Sequence, residues 1–528
     1  MRARALPLLL AGLLLSACNL LTGADEFVVD GDGDSSSDGD GSSDGDGNPS
    51  DGDGDGSGAG IGAGGDTGSG GTTSSGPVAT LDDATGVTIT QVAFYQGVKS
   101  TVFTNGSVTN PSLSLVANRP AVVRVFVDPA GASGAPITAR LFIGSQAPIE
   151  TVVSSLQSGT DGNFSSTINF DVPAAYLTPG ATWRVELKED IGTSAGPNPG
   201  ATTGDGNLAL EQSHALRVTL IPVQYQADGS NRMPDTSAAQ LEQYRQLFMK
   251  LYPTTEVVLT VGPTFGWNQG ISAGGNGWDT LLNAISEERQ SAAAAFDEYY
   301  YGIFEPASSF GAFCGGGCVA GLGFIGEPGG EYSRAAIGLG YSGDSATWTA
   351  VHEVGHNHGR PHSPCGGVSG ADPGYPHSGG DIGQWGMDLF TKQLIDPGYK
   401  DLMSYCEPSW ISDYVYEEVL DFMQATGGSQ SLSIPAEELN QEYERVSFGP
   451  ETASFLSAMT MVRPPMGEPK DVTVTTASGE TKTVKGTFYA YDHIDGGVLF
   501  VKKGATLLQS AAIDLKVRGA VVRRAAAR

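Results

Sequence analysis

The stretch TWTAVHEVGHNHGRPHSPC, residues 347–365, holds four of the chain's seven histidines within eleven residues. Side chains four apart on a helix lie one above the other, so His352 and His356 point the same way. Two imidazoles so placed can hold one metal ion, and Glu353 can reach a water bound to it. Gly359 can adopt the left-handed conformation that ends a helix. The chain then turns back, and His362 can approach from the loop. The full pattern, His-Glu-x-x-His-x-x-Gly-x-x-His, supplies three neutral nitrogen ligands and leaves a fourth position open for water, as a catalytic zinc requires. Chance would produce it in on the order of one in 100,000 such chains. A structural zinc is the stronger rival, but structural sites usually close the shell with four protein ligands and favour cysteine. His358 lies two residues past His356 on another face of the helix, and His377 has no spacing argument for joining the set. His493, far downstream, reads as a surface or packing residue.

These residues resemble those of the metzincin zinc peptidases, and the resemblance extends over roughly residues 215–428. It rests on the long motif at 352–362 and on DLMSYC at 401–406. By resemblance, Met403 occupies a tight turn beneath the zinc. Tyr405, two residues later, matches the tyrosine that some members use to stabilise an oxyanion. The implied reaction is hydrolysis of peptide bonds within a protein chain, with one Zn2+ per chain and Glu353 as general base on the zinc-bound water. The segment 366–388 is longer than the corresponding stretch in compact members. It is expected beside the cleft, with Tyr375, His377 and Trp385 as contact candidates. Substrate is expected to lie extended along a sheet edge near LGFIG, residues 322–326. The family within the clan is not assigned.

Four cysteines besides Cys18 suggest two disulfides in an exported chain, with three pairings to choose from. If the methionine turn lies under the zinc, as the resemblance implies, Cys365 and Cys406 come close enough to pair and Cys314–Cys318 remains as a small local loop. Geometry alone leaves the other pairings open.

The elements that must position this chemistry follow from periodicity. Residues 237–253 and 277–292 have helical spacing, and Asp344 or Ser345 can cap a helix through the histidines. Between them lie strands at 216–225, 256–261, 298–304 and 334–341, which is the alternation of a mixed sheet carrying helices. Residues 85–210 read as short β-branched and aromatic strands at the spacing of an immunoglobulin-like sandwich. Strand patterns return after 429. The expected fold is therefore multidomain: an α/β metzincin-like catalytic domain (211–428) flanked by an N-terminal sandwich (85–210) and a smaller all-β, sandwich-like C-terminal domain (429–528).

The first residues lead to the expectation that this chemistry works outside the cytoplasm. Arg2 and Arg4, the apolar run to Leu15 and the sequence Leu-Ser-Ala-Cys have the layout of a secretory signal resembling a bacterial lipobox, with Cys18 as the lipidated residue. Residues 1–18 would be the signal and 19–84 an Asp/Gly/Ser-rich tether with too little apolar surface to fold. The expected location is the bacterial cell envelope, with the protein lipid-anchored at the outer membrane or cell surface and open to release. The tether's Asp-Gly repeats offer oxygen ligands for calcium but lack the loop pattern that organises them. They supply much of the net charge of −30, which argues against nucleic-acid partners. A protein or peptide substrate and the membrane are the expected partners, and nothing in the sequence sets an oligomeric state. Two other functions fit the same text: a surface-anchored adhesive lipoprotein with an ancillary zinc domain, and an amidase acting on cell-wall or glycan-linked peptides. Glu353 counts against the adhesive reading, because a site that only binds metal has no need of that carboxylate.

Overall fold

Runs of Val, Ile and Phe broken by Gly, Asn and Pro fold the first part of the chain into two five-stranded antiparallel sheets. Their alternating inward residues, among them Val92, Phe94, Val123, Val125, Leu141 and Val185, meet in one core around the fully buried Trp183. The computed structural model describes residues 81–109, 111, 113–190, 201–427, 434–449, 453–504, 507, 510–517 and 520–527. The expected signal, Cys18 and nearly all of the tether lie outside them. Among the described residues the molecule is mostly β-sheet, with five α-helices, and no helix is long and apolar enough to cross a membrane.

The middle of the chain alternates strand and helix. Its sheet runs in the order Val257–Val261, Leu216–Tyr225, Glu298–Phe304, Ala335–Leu339 and Gly321–Gly323, with Phe265–Trp267 also paired to Leu216–Tyr225. All neighbours are parallel except Gly321–Gly323, which closes one edge antiparallel to Ala335–Leu339. Helices α1 (Ala238–Leu251), α2 (Trp278–Ser291) and the short α3 (Phe310–Cys314) precede α4 (Asp344–Asn357), and α5 (Asp413–Thr426) follows. Helix α4 lies against the Ala335–Leu339 strand and the Gly321–Gly323 edge and is buried over most of its surface. Its start differs from the expected capping. Gly343 takes the cap position with φ 111°, and Asp344 is the first helical residue. The Gln240 side chain of α1 accepts from Gly343 N (2.7 Å) and donates to Gly343 O (3.2 Å). Among the described residues no side chain caps the first turn; the Gln240 amide instead pins the backbone of the cap residue from another helix.

The C-terminal domain also departs from expectation. Seven strands form a closed barrel and not a sandwich-like pair of sheets. The final strand, Ala520–Ala527, pairs antiparallel with Ser510–Val517 and parallel with Ala453–Met461, while Gln441–Phe448 pairs with Gly497–Lys502. Closure leaves no open edge. The barrel does not stand apart. Tyr443, Met461, Tyr489, Tyr491, Val498 and Phe500 share one buried cluster with Trp278, Leu282, Phe324 and Tyr332 of the central region.

Candidate metal centre

Helix α4 carries His352, Glu353 and His356, and the helix stops where it must. His358 is its C-cap, and Gly359 has φ 76°, a left-handed conformation that a side chain would strain. The chain reverses there and brings His362 back over the helix. Rings of His352 and His356 lie 4.7 Å apart between centroids, His352 and His362 5.4 Å, and His356 and His362 4.6 Å.

Each ring is oriented by a backbone carbonyl. Nδ1 of His352 faces Leu402 O at 2.7 Å, that of His356 faces Arg360 O at 2.5 Å, and that of His362 faces Ser369 O at 3.0 Å. A carbonyl can only accept, so each Nδ1 carries the proton and each Nε2 presents a lone pair. The Nε2 atoms of His352 and His356 stand 3.1 Å apart. Two lone pairs at that distance repel each other unless a cation lies between them. The donor set therefore fits a metal ion, and its all-nitrogen chemistry suits zinc. Burial pushes the imidazoles toward the neutral form that ligation needs. His352 is lowered to about 3, mainly by burial and then by His493, and His356 is held well below its usual value by burial and its histidine neighbours.

The floor of the site is laced to the ligand loop. Met403 is fully buried beneath α4, and a side-chain carbon on Gly355 would come within 2.5 Å of its sulfur, so any larger residue there would displace the methionine. Asp401 accepts from Ser363 Oγ (2.7 Å), Met403 N (2.8 Å) and Ser412 N (2.8 Å), fixing the turn to the loop after His362. Disulfides join Cys365 to Cys406 and Cys314 to Cys318. The first ties the ligand loop to the turn. The second closes a local loop at the end of α3. Tyr405 Oη lies 3.1 Å from His362 Nε2, on the rim of the cluster.

Glu353 is fully buried beside the cluster, and burial raises its carboxyl to about 8, partly offset by Asp492. Its Oε1 meets His493 Nε2 at 2.9 Å, and His493 Nδ1 lies 2.5 Å from Tyr405 Oη. The expectation that His493 is a surface or packing residue is therefore wrong. It reaches the centre from the barrel, on the loop after strand Thr481–Ala490, and its donor nitrogen lies within 4.8 Å of those of the other three histidines. Neighbouring Asp492 is also buried and accepts from Gly323 N at 2.9 Å. No local spacing marks His493, since Glu353 lies 140 residues away. The one hint in the sequence is an Asp-His pair followed closely by Gly496-Gly497, on a chain with few histidines.

Other candidates lie elsewhere. His358 is core, stacked on Tyr299 at 4.6 Å with its Nδ1 on Val354 O. His377 pairs with Asp413 at 2.6 Å, and the Tyr375 hydroxyl donates to Asp381 O. Trp385 packs toward the N-terminal sandwich, where its carbonyl accepts from Lys99 N, because the 366–388 segment runs back to that domain. The edge at 322–326, expected to be open for substrate, is already paired by barrel residues, with Phe324 bridged to Tyr491 and Ile325 N donating to Ala490 O.

Residues 325–442 match the family model Peptidase M66. That family is one of metallopeptidases, and the matched segment holds α4, His362, the methionine turn and Tyr405, but stops short of His493. No curated protein matches the chain.

Proposed function

We propose that the chain is a zinc-dependent endopeptidase of metzincin-like organisation that cleaves extracellular proteins. We also propose that it works at the bacterial envelope, held there by a lipid on Cys18. The observation that carries the reading is the convergence of three carbonyl-oriented Nε2 atoms with a buried carboxylate, Glu353, one residue from the first of them. A site that only stored metal would have no use for that carboxylate. His352, His356 and His362 would hold the ion. When bound, zinc polarises the scissile carbonyl and acidifies the attacking water. Glu353 takes the water's proton and passes it to the leaving nitrogen. Tyr405 stands where it can donate to the developing oxyanion. Asp401, Met403 and the Cys365–Cys406 bridge keep ligand loop and floor in register, so the donors need not reorganise during reaction.

The test is zinc content and cleavage of an unfolded protein by the purified chain, beside Glu353→Gln. One zinc in both forms, with cleavage lost in the variant, supports the reading. Cleavage that survives the substitution would remove Glu353 from its role.

A further inference from the structure

The four imidazoles around the centre are spaced almost evenly. Besides the three separations given above, His493 stands 5.3 Å from His352, 5.5 Å from His356 and 4.9 Å from His362, ring centre to ring centre. All six pairs thus fall between 4.6 and 5.5 Å, the arrangement of four rings about a common point. A tetrahedral zinc shell built wholly from protein would use such a set.

The barrel delivers His493 by backbone pairing. Phe324 and Tyr491 form an antiparallel bridge, Ile325 N donates to Ala490 O (3.0 Å), and Asp492 N donates to Gly323 O (3.2 Å). Gly323 N in turn donates to the Asp492 carboxylate. These are the main-chain groups that an extended peptide would use to add itself to the edge of a sheet. Residues 490–493 therefore occupy the substrate's expected path. Glu353, His356 and His362 are correspondingly buried, while His352, Tyr405 and His493 on the rim keep partial exposure. In this structure His493 meets Glu353 through Nε2 and Tyr405 through Nδ1, so ligation through Nε2 exchanges the contact with Glu353 for the metal.

We propose that His493 is a fourth, exchangeable metal ligand supplied by the C-terminal barrel, and that segment Ala490–His493 holds the peptidase in a closed resting state. The inference rests on the zinc reading above and deepens it. A closed four-ligand shell is the mark of a structural site, but a carboxylate placed for general-base work beside it makes this a catalytic site at rest. Opening replaces one imidazole by solvent or substrate oxygen. No covalent bond is made or broken, and the displaced imidazole leaves as a neutral base.

The test uses the full-length chain loaded with zinc and read by X-ray absorption, which counts imidazole ligands without relying on activity. Four imidazoles are expected in the wild type, and three with one oxygen in His493→Ala. Zinc transfer to a competing chelator should show binding at least about 10-fold weaker in the variant. His493→Gln, which keeps more of the volume, serves as a second variant should Ala fold poorly, and the wild-type spectrum stands without either. Adding a peptide hydroxamate to the wild type should convert four imidazoles to three plus oxygen. Three imidazoles and an oxygen in the resting wild type would overturn the ligand assignment while leaving the peptidase reading intact. Four imidazoles retained with hydroxamate bound would overturn the exchange. A chain that binds zinc without its histidines, or not at all, would sink the metal reading itself.

Discussion

The two flanking domains are written in the same kind of text, short β-branched and aromatic strands, yet they meet the centre in different ways. The N-terminal sandwich keeps a core of its own and packs on the middle of the chain away from the metal centre, through apolar contacts (Val98, Leu113 and Val116 in the central core; Tyr95, Val122 and Phe126 on Met387) and individual hydrogen bonds. Trp410 donates to Gly97 O (2.9 Å), and buried Arg119 donates to Thr254 O and Met249 O (2.7 Å each). The C-terminal barrel likewise keeps a core of its own, but it shares a second cluster with α2 and the 321–339 strands and sends Tyr491, Asp492 and His493 inward to the centre. The contrast teaches that a domain's role at a site depends on where its loops land, which strand periodicity does not encode. The sandwich is a support. The barrel is part of the centre.

That contrast can be broken by substitution on each side. Tyr491 is fully buried against Phe324, with its hydroxyl bonded to Asn283 (2.9 Å) and Ser447 (3.0 Å). Tyr491→Ala should cost about 3–5 kcal/mol in denaturant unfolding and weaken zinc retention with it. A loss confined to barrel stability, with zinc binding untouched, would mean that barrel and centre are independent. Removing zinc should act next. At free zinc 100 times its Kd the bound ion adds about 2.7 kcal/mol to stability. Hydrogen exchange should show the loss at Ile325 and Asp492, where barrel meets edge strand, and not at Val123 in the sandwich. Equal loss in both places would erase the distinction drawn between the two domains.

Smaller effects belong to the sandwich side. Trp410→Phe forfeits the hydrogen bond to Gly97 and part of the buried indole, which should cost about 1–3 kcal/mol with cleavage of a short peptide unchanged. Lys392 pairs with Asp171 across the sandwich boundary, both side chains substantially exposed. Lys392→Ala should shift stability by about 0.5 kcal/mol or less, and less still at high salt.

What the sequence made legible was whatever depended on neighbours along the chain. His352, Glu353 and His356 share a helix face, Gly359 turns the chain, and the runs 237–253 and 277–292 are helical because their spacing is local. Unread were features made by distant residues. Gln240 holds the start of α4 from another helix. Asp401 gains its meaning only when Ser363 and Ser412 are folded around it. The barrel closes through a final strand, Ala520–Ala527, whose alanines and arginines carry little strand signal. His493 is the largest omission: a single histidine in a β domain has no periodicity, and only the pairing of residues 490–492 with 323–325 brings it to Glu353.

The most direct measurement compares zinc content and protein cleavage in the wild-type chain and in Glu353→Gln. One zinc per chain is expected in both, with cleavage reduced by about 10²–10⁴-fold in the variant alone. Equal cleavage by the two, or a wild type that cleaves fully after zinc is removed, would contradict the proposed function.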